Sequence, residues 1–63
     1  MPVGTLAEAR VIAYDVATIL DQLAAELDAR ADRALEIGRR DDATELRRRI
    51  EEVTRQAERL RGI

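Results

Sequence analysis

The sequence predicts an all-α protein: an antiparallel two-helix hairpin that assembles as a homodimeric four-helix bundle. Three observations carry this expectation. Gly and Pro are confined to positions 2, 4, 38 and 62, so Gly38 is the one helix breaker away from the ends. The second half of the chain repeats apolar residues at alternating spacings of three and four. The stretch from Val11 to Leu20 is more apolar than a single hairpin can cover, although 38% of the 63 residues are charged.

The first helix is expected over about 6–37. Thr5 and Glu8 have the spacing of a capping box, in which the hydroxyl accepts from the third backbone N–H inward and the carboxylate accepts from the Thr5 N–H. From Leu6 to Ile37 the chain is rich in Ala, Leu, Glu and Arg, residues that lose little freedom in a helix. Gly38 then supplies the left-handed residue that commonly closes such a helix.

A turn over 38–41 leads to a second helix over about 42–61, capped by Asp41 or Asp42. Arg59 and Arg61 in its last turn complement the helix dipole. Its apolar residues, Ala43, Leu46, Ile50, Val53, Ala57 and Leu60, form the narrow seam of a coiled coil. Folding the chain back around Arg39 and Arg40 sets Ala43 against Ile37, Leu46 against Ala34, Val53 against Leu27, Ala57 against Leu23 and Leu60 against Leu20. Ile50 falls between Arg30 and Ala31, where the arginine stem can lie along the seam with its head in water. The turn, with Gly38, Asp41 and Ala43, resembles the helix-turn-helix of the tetratricopeptide repeats over roughly Leu27 to Ile50. Arg30 and Arg47 depart from the large apolar residues of that family, and a solenoid requires about three repeats. The resemblance is one of turn chemistry.

At about 1.5 Å per residue the first helix measures near 48 Å and the second near 30 Å, so the second ends opposite about Ala17. The expected overhang, Leu6 to Val16, is apolar nearly all round. Contiguous apolar surface of this kind marks an interface, and a second copy is the nearest cover. The expected interface residues are Ala9, Val11, Ile12, Ala13, Tyr14, Val16, Ile19, Leu20 and Leu23.

Composition narrows the function. A chain of this length is one domain, 1–63 with 1–5 as a flexible N-terminus, and it needs a staple to be stable. Without Cys or His it has neither a disulfide nor the preferred zinc ligands, which leaves oligomerisation. The N-terminus has no basic leader and the apolar run is too short to span a bilayer, so a cytoplasmic protein without membrane contact is expected. All 11 basic residues are Arg, and Ser, Asn, Lys, Phe and Trp are absent, a bias in keeping with a GC-rich bacterial or phage coding sequence.

Catalysis is not expected, because Thr5, Thr18, Thr44, Thr54 and Tyr14 have no histidine to activate them. Asp15 lies on the polar side with Glu8, Gln22 and Arg33. Asp28 with Asp32, or Asp41, Asp42 and Glu45, lack the pattern of a calcium loop, so no metal or cofactor is expected. The reading is therefore a small non-enzymatic interaction or scaffolding module that associates with itself or with a larger protein. The alternative is a regulator that binds nucleic acid, or a nucleic-acid-binding partner, through Arg39, Arg40 and Arg47. Residues 39–63 hold eight Arg against six acids, while residues 1–38 hold three against seven. Against it stand the chain's net charge of -2, acids three or four positions from Arg47, Arg48, Arg49 and Arg55, and a lack of stacking aromatics.

Overall fold

The structure is a computed structural model that describes residues 5–62. Residues 1–4, most of the segment expected to be flexible, lie outside the described residues, as does residue 63. Two helices make up the chain, α1 over Leu6–Glu36 and α2 over Arg40–Arg61, packed as an antiparallel hairpin. Its extents are 55 × 15 × 14 Å and its radius of gyration is 15.4 Å. A compact chain of 63 residues would have a radius near 11 Å, so the molecule is a rod.

Both ends of α1 follow from local chemistry. The Glu8 N–H donates to Thr5 Oγ1 at 3.2 Å and the Thr5 N–H donates to Glu8 Oε2 at 3.4 Å, completing the capping box. At the other end Gly38 takes φ +81°, the left-handed conformation. The Arg39 N–H then donates to Ala34 O at 2.8 Å and the Gly38 N–H to Leu35 O at 3.1 Å, the paired bonds of a Schellman motif.

That motif also moves the start of α2. The Arg39 carbonyl already accepts from the Ala43 N–H at 3.1 Å, so Arg39 is the N-cap and the turn is shorter than 38–41. Asp41 and Asp42 therefore do not cap the helix. They stand inside its first turn, where their charge still suits the dipole.

The hairpin core consists of alanines. Ala13, Ala17, Ala31 and Ala34 of α1 and Ala43 and Ala57 of α2 are buried, and no larger side chain among the described residues is. Leu20, Ala24 and Leu27 of α1 and Leu46, Ile50, Val53 and Leu60 of α2 are half-buried between them. The α1 seam thus runs 13, 17, 20, 24, 27, 31, 34, the same heptad alternation as in α2.

This corrects two expectations. Ile37 and Leu23 were matched to Ala43 and Ala57, yet they are 63% and 41% exposed. Leu46 does share a groove with Ala34, and Val53 one with Leu27. The seam instead takes Ala24 and Ala31 beside Leu20 and Leu27, which leaves Leu23 and Ile37 on a flank. Burial of Ala13 and Ala17 also shows that α2 covers α1 as far as Ala13. The overhang is Leu6 to Ile12, shorter than expected.

Gly38→Val is expected to lower stability by about 2 kcal/mol, from the left-handed backbone alone, because a Cβ there meets no atom within 4 Å. A thermal melt matching the parent's would contradict the turn. Ala31→Leu should cost about 1–3 kcal/mol by overpacking the seam, whereas Ala29→Leu on an exposed face should stay within about 0.5 kcal/mol. Denaturant midpoints of the two variants distinguish seam from surface.

Candidate protein-interaction surface

α1 presents three lengthwise lines of side chains, and each has its own chemistry. The alanine seam under α2 is the middle one. On one flank Asp21, Asp28 and Asp32 share a face at helical spacing and receive arginines from α2. Arg47 reaches Asp28 at 3.8 Å and Asp32 at 3.2 Å, and Arg61 pairs with Asp21. The Arg61 guanidinium has a raised pKa, first from its hydrogen bond to Asp21, with Tyr14 also contributing from nearby. This flank is closed by ion pairs between the helices.

The opposite flank is open and apolar. Ala9, Ile12, Val16, Ile19 and Leu23 follow one another at spacings of three and four, a second heptad line about 80° round the helix from the seam. Ile12 is 63% and Ile19 62% exposed, with Val16 and Leu23 about two-fifths exposed. Beyond Leu23 the same line runs into Glu26 and Arg30. Beside it lies a groove lined by Leu23, Leu27 and Val53, with Arg48, Arg49 and Glu52 at its rim.

The nine residues expected to form the interface therefore divide. Ala9, Ile12, Val16, Ile19 and Leu23 share the open line. Ala13 and Leu20 belong to the seam with α2, so Ala13 is already covered within the chain. Val11 and Tyr14 are exposed on the far side of α1, with Tyr14 near Arg61. The second line is present in the sequence, but a helical wheel merges it with the seam because alanine and leucine count alike.

The arginines expected to contact nucleic acid do not converge. Arg39 and Arg40 flank the turn, and Arg39 pairs with Asp42 at 3.8 Å. Arg47 is engaged by Asp28 and Asp32 on the ion-paired flank, across the helices and not with Glu51 as its spacing predicted. Arg48 bridges Glu45 at 2.6 Å and Glu52 at 2.5 Å, and Arg49 reaches Glu45 at 3.4 Å. Glu45 is held below the ordinary carboxylate range, first by its hydrogen bond from Arg48. Arg48 is correspondingly raised, first by its hydrogen bond to Glu45. These groups are solvated, and their pairing is the salt-bridged face that the sequence predicted.

The remaining polar groups also have local roles. Thr18 and Thr44 hydroxyls donate to the carbonyls of Tyr14 and Arg40, both at 3.0 Å, and Asp15 is exposed. Asp28, Asp32, Asp42 and Glu45 are engaged by arginines, and no cluster of metal-binding side chains occurs among the described residues. No helix there is long and apolar enough to cross a membrane.

Comparison with known proteins adds no identity. No protein family, curated protein or solved structure matches the chain.

Proposed function

We propose that this chain is a small non-enzymatic protein-interaction or scaffolding module that self-associates through the N-terminal half of α1. One observation carries the proposal. The hairpin fully buries nothing larger than alanine and leaves the leucines of its seam half-buried, while Ile12, Val16, Ile19 and Leu23 stand exposed in line on an open flank. A buried alanine methyl removes little surface from water, whereas a fully buried Val, Leu or Ile contributes about 1.5–3 kcal/mol. The chain thus leaves a line of large apolar side chains for a partner to bury.

As a rod the chain exposes more surface than a compact monomer of its mass, 5185 Å² against about 4,100 Å². The regulator reading through Arg39, Arg40 and Arg47 has less support, because Arg39 and Arg47 are occupied by carboxylates of the chain itself.

Sedimentation equilibrium at micromolar concentration should give at least twice the 7.1 kDa chain mass. Ile12→Asp combined with Ile19→Asp should reduce it to the monomer, because unpaired carboxylates in an apolar contact cost several kcal/mol. Arg47→Gln should leave the assembly intact, since each exposed ion pair it loses is worth at most about 1 kcal/mol. A double variant that still sediments as an oligomer would remove the open flank from the interface.

A further inference from the structure

We infer that the hairpin is locked closed by its register: the apolar lines of α1 and α2 are out of phase across the turn, which blocks their fusion into one long helix. Copies of this chain therefore keep their own α2 and do not exchange it. The inference stands on the fold alone and holds for a single chain as for an assembly.

The two lines are sharply drawn. Every described residue that is not exposed lies at 13, 17, 20, 24, 27, 31 or 34 in α1, or at 43, 46, 50, 53, 57 or 60 in α2. Each line keeps the alternation of three and four that holds one face of a helix toward one neighbour. Ala43, however, follows Ala34 by nine positions. At about 100° per residue that step is roughly two and a half turns, so in a helix unbroken at Gly38 the lines would lie on opposite sides.

The residues that would continue each line are polar or small. Carried back into α1 at the same spacing, the α2 line passes through Arg39, Glu36, Asp32, Ala29, Ala25 and Gln22, all exposed. Carried forward, the α1 line passes through Gly38, Asp41, Glu45, Arg48, Glu52 and Arg55, also exposed.

The shortness of the turn gives the mismatch its consequence. Only Ile37, Gly38 and Arg39 separate the helices, and so short a hinge invites domain swapping, in which the turn becomes helix and α1 of one chain packs on α2 of another. Two fused helices lying antiparallel can face each other along one side only. Turning them to complete the seam in one half sets Gln22, Asp32 and Glu36 against Asp41, Glu45 and Arg48 in the other. Two closed hairpins keep both seams, and the exchanged pair keeps one.

The chain has no cysteine, so Asp15→Cys with Arg59→Cys, at exposed positions, gives two clean sites for spin labels. Labelled chain refolded with a large excess of unlabelled chain reports only distances within one chain. By pulsed dipolar spectroscopy a closed hairpin should give roughly 20 Å and a fused helix about 65 Å. The parent should read near the short value, and so should Gly38→Ala, which removes the glycine and keeps the register. Deleting Gly38 and adding Arg39→Leu should instead shift the distance to the long value. In that variant the positions of Ala31, Ala34, Arg39, Ala43 and Leu46 follow at spacings of three, four, four and three, an eleven-residue step that a continuous helix accommodates.

The long distance in the parent or in Gly38→Ala would overturn the inference, because the register would then not hold the hairpin closed. A folded deletion variant that keeps the short distance would overturn it as well. Should the deletion variant fail to fold, Gly38→Ala decides alone. Neither arm depends on sedimenting mass, so a monomer would remove the self-association proposed above and leave this inference standing.

Discussion

The contact on which the rest of the structure depends is the alanine seam between α1 and α2. Six buried alanines, alternating with half-buried larger residues, let two helices lie close along 3.5-residue repeats, and the capping box and Schellman turn fix the ends of α1. The same smallness limits what the contact contributes. Every methylene missing from the seam withholds about 0.8 kcal/mol that a larger core residue would have supplied. A chain of 63 residues has little margin for that loss.

The two sides of the hairpin beside the seam are unlike. Arg47 and Arg61 close one side with ion pairs to Asp28, Asp32 and Asp21. Those pairs are exposed and individually weak, so they orient α2 more than they hold it. On the other side Ile12, Val16 and Ile19 stand exposed, and Leu23 lines a groove with Leu27 and Val53. A helix laid there would convert a half-buried seam into a core, because Leu27 and Val53 are already partly covered.

Much of this was legible in the sequence wherever one residue type dictates one local geometry. Thr5 with Glu8 and the lone interior Gly38 gave both ends of α1, and the heptad spacing of α2 gave its seam. The start of α2 was not legible, because it is set by backbone bonds of the Schellman turn, which bring the helix in before Asp41. The phase of α1 was legible at Leu20, Leu27, Ala31 and Ala34 and missed at Leu23 and Ile37, for a different reason. Its two lines, 13-17-20-24-27-31-34 and 9-12-16-19-23, are both apolar, and only residue size tells which one accepts α2. Hydrophobic patterning identified the N-terminal half as excess surface, and it placed Ala13 and Leu20 in the interface because it weighs a methyl and an isobutyl group by the same sign.

The most direct measurement is the thermal unfolding of the unmodified protein, followed by circular dichroism over about a hundredfold range of concentration in the micromolar region. If the hairpin depends on a second copy for its core, the midpoint rises with concentration, because mass action favours the folded dimer. A sharp transition at the same temperature throughout, from a fully helical monomer, would show that the alanine seam suffices alone and would contradict the account.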